Sequence, residues 1–136
     1  MNRLSVLITG VVLLISYGAA QAADAFKFEV YQDAKKEYRW RLKNGEGKIV
    51  ATPGQGYSSK KYCEESVEKF KNNVNSDKVK IEHYQDAGKQ YRWKMIASNG
   101  QNVASSPVGY ATKSECEKAF ATIKKEAKNA KVELEP

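Results

Sequence analysis

Apolar and polar residues alternate in two short runs near the start of the chain's main body. Phe26, Phe28 and Val30 alternate with Lys27, Glu29 and Tyr31, and Tyr38, Trp40 and Leu42 alternate with Arg39, Arg41 and Lys43. A period of two sends successive side chains to opposite faces, so both runs predict half-buried strands. Asp33-Ala34-Lys35-Lys36 between them reads as a hairpin turn. Asn44-Gly45 turns the chain into a third, short strand near Ile49–Thr52. Pro53 ends that strand, because proline has no amide proton for a ladder. The period then becomes helical. Ser59 stands as N-cap, and Cys63, Val67, Phe70 and Val74 fall on one stripe that needs a surface to cover it.

The same order of signals then repeats. A shift of 53 residues aligns the chain with itself without a gap, with 20 identities in 53 pairs between 26–78 and 79–131. Tyr31-Gln32-Asp33-Ala34 returns as Tyr84-Gln85-Asp86-Ala87, Tyr38-Arg39-Trp40 as Tyr91-Arg92-Trp93, and Cys63-Glu64 as Cys116-Glu117. The third strand returns near Asn102–Ser105, before Pro107. The helix returns with Thr112 and Glu115 as a capping box and with Cys116, Phe120, Ile123 and Ala127 as the stripe. Val79 and Ile81 match both Phe26 and Phe28 and the alternating end Lys131–Glu135, which therefore reads as a last strand. Each unit is β-β-β-α followed by a further strand, and a fixed period of this kind means one supersecondary unit used twice. The predicted fold class is α+β: two tandem repeats, 26–78 and 79–135, forming one sheet with both helices on one face. One such unit leaves a strand edge and an apolar face bare, and its twin can cover both.

Met1-Asn2-Arg3 precedes an almost purely apolar run from Leu4 to Tyr17, and Ala20-Gln21-Ala22 fits a cleavage site. Residues 1–22 are thus expected to be a signal peptide, with a retained anchor as the alternative, although the apolar run is short beside the ~20 residues of a bilayer span. The expectation is an exported protein, periplasmic or secreted, whose mature part, 23–136, is a single domain without an integral membrane segment. With 41% hydrophobic and 29% charged residues the chain is globular rather than disordered.

The strand–turn–strand runs Phe28-Glu29-Val30-Tyr31 and Tyr38-Arg39-Trp40-Arg41-Leu42-Lys43, then Gly47-Lys48-Ile49-Val50-Ala51 and Gly56-Tyr57-Ser58-Ser59-Lys60, resemble the YegP-like family. Tyr91-Arg92-Trp93-Lys94 and Gly109-Tyr110-Ala111-Thr112-Lys113 carry the resemblance through the second repeat. It implies one antiparallel sheet with exchanged C-terminal strands. It implies no activity, because the family is functionally uncharacterised.

Candidate chemistry is sparse. The net charge is +7, and the alternation puts Lys27, Arg39, Arg41, Lys43, Lys80, Arg92 and Lys94 on the sheet face away from the helices, with Tyr31 and Tyr84 among them and Glu29 and Glu82 as diluents. Such a face is either a solvated surface or a site for an anionic envelope polymer. The matched Cys63 and Cys116 are either a disulfide, which requires the helices to meet near their first turns, or two buried thiols. No C-x-x-C, metal-ligand spacing, phosphate loop or nucleophile elbow is present, so no catalytic residue, metal or cofactor is predicted. His83, at the position of Val30, reads as a partly buried core residue, and Trp40 and Trp93 read as core. Asp33 and Asp86 read as turn residues, and as a matched carboxylate pair they are the only support for a small envelope hydrolase. The expected function is a non-enzymatic exported protein that binds anionic polymer, with a hydrolase or a structural module that self-associates into a homodimer as alternatives.

Overall fold

The computed structural model describes residues 25–136; the expected signal peptide, 1–22, lies outside them. The elements follow the order read from the pattern: β1 (Lys27–Gln32), β2 (Tyr38–Lys43), β3 (Ile49–Pro53), α1 (Lys60–Asn73), β4 (Val79–Gln85), β5 (Tyr91–Ala97), β6 (Asn102–Ser105), α2 (Lys113–Ala127) and β7 (Lys131–Leu134). Both hairpins turn through a lysine at positive φ, Lys36 at 67° and Lys89 at 64°. Asp33 Oδ1 holds the first turn by accepting the amides of Lys35 and Glu37. Ser59 Oγ and Thr112 Oγ1 accept the amides of Tyr62 and Glu115, each at 3.1 Å, so both helices start at the N-caps expected of them.

Among the described residues seven strands form one sheet in the order β4-β5-β6-β3-β2-β1-β7. The two half-sheets meet at its centre, where β3 pairs with β6 through Thr52 against Ser105 and Pro53 against Ala104. The second contact between repeats lies at the far edge. There β7 runs beside β1, with Phe28 opposite Val132 and Val30 opposite Leu134. This pair is parallel, so the sheet is mixed and not the antiparallel sheet that the family resemblance implied. The cause is connectivity. Hairpin turns make neighbours antiparallel, whereas β7 follows a helix and arrives at β1 from across the molecule.

Helix α1 packs on β1 and β2, and α2 on β4 and β5. Phe70 contacts Phe28 and Trp40 edge-on or tilted, and Phe120 contacts Trp93 with ring centroids 4.9 Å apart. The two stripes close a single core around the fully buried Trp40, Trp93, Phe28, Leu42 and Met95. The helices come together by their C-terminal ends: Asn75 donates to the Lys124 carbonyl at 3.1 Å, and Lys71 to the Ala130 carbonyl at 3.1 Å.

One departure from symmetry runs through the structure. On β1, Phe28 is 0% exposed and Val30 2%. Their counterparts on β4, Ile81 and His83, are only half-buried. The first pair is covered by β7; β4 is the opposite edge of the sheet, with no strand beyond it among the described residues. Truncation should report the difference. Phe28→Ala is expected to cost about 3–5 kcal/mol, as for other buried aromatics, and Ile81→Ala about half of that or less, read as the shift in urea midpoint at constant slope.

Candidate functional site

The sheet gathers the nine residues of the predicted basic face as expected, Lys27, Tyr31, Arg39, Arg41, Lys43, Lys80, Tyr84, Arg92 and Lys94, because each occupies the polar phase of its strand. The structure adds partners that the strand pattern did not contain. Arg39 Nε donates to Asp33 Oδ2 at 2.7 Å, and its twin Arg92 donates to Asp86 Oδ2 at 2.7 Å. Arg92 also donates to the carbonyls of Ser106 and Pro107. Arg41 reaches Glu29 at 2.7 Å and Glu135 at 3.0 Å, and its guanidinium lies 4.4 Å from the centre of the Tyr31 ring. Lys43 pairs with Glu29 at 3.1 Å, and Lys27 with Glu133 at 3.2 Å. The arginines are therefore ties between strands and turns.

Glu29 is the hub of the first half. Its carboxylate is buried. Burial alone pushes its pKa up, but hydrogen bonds and charge from Arg41 and Lys43 outweigh that and hold it at about 2. The second half is looser. Glu82, the twin of Glu29, lies 3.7 Å from both Lys80 and Lys94. Among the described residues no strand beside β4 supplies the counterparts of Glu133 and Glu135. Lys80 is 76% exposed in its side chain and Lys94 38%, and Tyr84, under the Lys94 ammonium, is 38% exposed. Lys80 and Lys94 are thus held at longer range than Lys27, Arg39, Arg41 and Lys43.

Asp33 and Asp86 do not form a pair. Strand directions alternate from β1 through β2, β3, β6 and β5 to β4, which places the β1–β2 and β4–β5 turns at opposite ends of the sheet. The hydrogen bonds from Arg39 and Arg92 lower the two carboxyl pKa values, as do backbone amides in each turn. The cysteines are free and buried. A disulfide required the helices to meet near their first turns, and they meet at their last, with the thiols at the remote ends. Burial pushes the Cys63 thiol to about 11 and that of Cys116 upward.

Three features escaped the sequence pattern. Cys116 Sγ lies 3.6 Å from His83 Nδ1, a pair separated by 33 residues. The raised pKa keeps Cys116 a thiol, which makes the contact a weak hydrogen bond inside the core and not an activated nucleophile. In the first repeat, Ser66 Oγ accepts the Trp40 indole N–H at 3.0 Å and bonds the Tyr57 hydroxyl at 2.7 Å. The second repeat has Ala119 there, and Trp93 Nε1 is buried without a partner. Nearby, between α1 and the β5–β6 end of the sheet, lies a groove of about 830 Å³ walled by Tyr57, Tyr62, Phe70, Val79, Met95 and Val103. Its walls come from both repeats, so no single stretch of sequence announces it. Among the described residues no group of three or more His, Cys, Asp or Glu side chains is placed to hold a metal, and no helix is long and apolar enough to cross a membrane.

Ala119→Ser should satisfy Trp93 and stabilise the fold by about 1 kcal/mol, while Ser66→Ala should destabilise it by about 1–3 kcal/mol, both by urea titration. For Glu29, the folded pKa of about 2 lies below the ordinary 4.5. Its contribution is complete above pH about 4.5 and is lost as pH falls toward 2. Glu29→Gln should lower stability at neutral pH and flatten the acid limb of a stability–pH curve; an unchanged acid limb would refute the assignment.

Comparison with known proteins places these features in a family. The family model described as a domain of unknown function (DUF1508) matches twice, at residues 33–80 and 86–133. The UPF0339 protein in the ptx operon 5′ region of Stutzerimonas stutzeri is 31% identical over 105 residues, covering 77% of this chain and 92% of that protein. The UPF0339 protein NMB1088 of Neisseria meningitidis is 47% identical over 53 residues, which is 39% of this chain but 93% of that protein, so one repeat accounts for nearly all of it. Among solved structures, the solution structure of UPF0339 protein SO3888 from Shewanella oneidensis has a TM-score of 0.70 at 14% identity, covering 81% of this chain and 91% of that one. The solution structure of yegP from E. coli, described as a protein of unknown function, has a TM-score of 0.69 at 24% identity, covering 81% and 92%. Both share the fold, and the double match across the chain shows that this protein belongs to the uncharacterised DUF1508/UPF0339 family, in a form with two tandem repeats.

Proposed function

We propose that the protein is a non-enzymatic, exported binding module of the cell envelope, and that it meets anionic polymer through the second-repeat half of its open sheet face. The observation that supports this reading is the uneven pairing of that face. In the first half, Glu29, Asp33, Glu133 and Glu135 occupy Lys27, Arg39, Arg41 and Lys43. In the second, Arg92 is committed to Asp86, while Lys80 and Lys94 share one carboxylate at long range beside the exposed Tyr84. Two loosely paired ammonium groups next to an aromatic ring suit phosphate or carboxylate groups carried on a sugar chain, with the ring as a platform. The non-catalytic reading is supported by the chemistry of the reactive types present: the thiols are protonated and buried, and Asp33 and Asp86 are each consumed by their own turn.

Titration with lipopolysaccharide and with an acidic glycan should give weak binding that falls as salt rises, since these charges are exposed to screening. Lys80→Ala with Lys94→Ala should weaken it at least tenfold, while Lys27→Ala with Lys43→Ala should change it little. Absence of binding at low ionic strength, or equal losses in the two double variants, would remove the proposal.

A further inference from the structure

We propose that the bare outer edge of β4 is a self-complementary interface, through which two copies of the chain join their sheets antiparallel about a two-fold axis at Ile81. This rests on the strand edge and not on polymer binding.

The edge has groups to offer. Val30 O, on the outer side of β1, accepts Glu135 N at 2.9 Å from the β7 side. In the β1–β2 and β4–β5 hairpins the registers match residue for residue, so His83 stands where Val30 does. The amides and carbonyls of Val79, Ile81 and His83 therefore point outward, where β4 has no neighbour among the described residues. The side chains of the same three residues lie on the helix side, half-buried. An unpaired edge with half-covered apolar residues is a template for another strand.

The sequence of β4 selects the partner. Place a second β4 antiparallel with Ile81 opposite Ile81 of the partner subunit. Val79 then faces the partner's His83, and the outward-pointing residues fall opposite each other as hydrogen-bonded pairs, as an antiparallel ladder requires. On the open face Lys80 falls opposite the partner's Glu82, and Glu82 opposite the partner's Lys80. Lys78, the residue before the strand, falls opposite the partner's Tyr84. Opposite charges are thus matched twice, and the apolar residue sits on the axis. A shift of one residue on each strand, placing the axis at Glu82, sets two carboxylates against each other and is disfavoured. Helix α2 packs on β4 and β5. In the joined sheet it would lie about 10 Å from its copy, two strand spacings of about 4.8 Å, which is the distance at which helices pack. One partner suffices, since the two-fold pairs β4 with its own copy and closes the assembly.

The register makes a charge test available. In Lys80→Glu, residue 80 repels the partner's Glu82; in Glu82→Lys, residue 82 repels the partner's Lys80. Mixed together, the two variants pair every charge. Sedimentation velocity over a range of concentrations should show the purified protein in a monomer–dimer equilibrium. Each single variant should weaken it at least tenfold, and an equimolar mixture should recover the dimer as a heterodimer. Ile81→Lys should abolish it, with circular dichroism checking that the fold is kept. A monomer at every concentration, a dimer indifferent to the charge variants, or growth beyond the dimer into open chains through β4 and β7 would overturn the proposal. Polymer binding that survives in a monomeric variant would leave the previous reading standing while this one falls.

Discussion

Phe28 and Val30 stay dry because a strand from the other repeat lies beside them. Everything that distinguishes this molecule from two independent small units depends on that contact between β1 and β7. The pairing of β3 with β6 joins the half-sheets through only two residue pairs. That is too little to hold two units of this size against the entropy of separating them. The return of β7 to the far edge makes the halves inseparable: to release either one, the chain must strip a strand from the core of the other. The helices reinforce the same lock by meeting at their C-terminal ends, close to where the chain leaves α2 for β7.

The same strand also decides the electrostatics of the open face. Glu133 and Glu135 reach Lys27 and Arg41 only because β7 lies alongside β1. Arg41, held from one side by Glu29 and from the other by Glu135, is fixed over Tyr31. Glu29 can be buried as a carboxylate only because Arg41 and Lys43 are both delivered to it by the β1–β2 register, since a charge removed from water must be paired to be tolerated. The array of ion pairs on this half is thus a by-product of strand pairing. On the other half, where no strand among the described residues arrives, the twin carboxylate Glu82 is half exposed and its lysines are held at longer range.

Strands, helices and caps were legible in the sequence because each is a local signal: alternation in Phe28–Val30 and Tyr38–Lys43, the stripe from Cys63 to Val74, and Ser59 and Thr112 at the helix starts. The repeat was legible for the same reason, since a fixed offset of 53 needs no structure to detect. What could not be read were pairings between distant residues. Lys27 and Glu133 are 106 positions apart, so composition showed a cationic face while the fold built a largely paired one. His83 could be placed in the core by its repeat position, but its contact with Cys116 required α2 to be set down on β4. The Ser66-to-Ala119 exchange was visible as a difference between repeats, yet its consequence, an indole N–H without an acceptor, appears only once Trp93 is known to be buried beside it. The disulfide hung on which ends of the helices meet, and periodicity carries no information about that.

The asymmetry of a molecule built from two like halves has a simple origin in strand count. Each repeat unit consists of three strands, a helix and a further strand. Two separate units would carry eight strands, and each closing strand would have an edge to cover. In this chain Val79–Gln85 serves twice, as the strand after α1 and as the first strand of the second repeat, which leaves seven. A strand cannot cover its own edge, so the fusion that joins the repeats removes one cover. Half-burial of Ile81 and His83, the long-range pairing of Lys80 and Lys94 with Glu82, and the exposure of Tyr84 all fall on the side where that cover is missing. Residue substitutions between the repeats follow the same line, with Val30 becoming His83 and Lys43 becoming Ile96, so the uncovered half has kept the backbone of its twin while losing the closely packed ion-pair array that an eighth strand would complete.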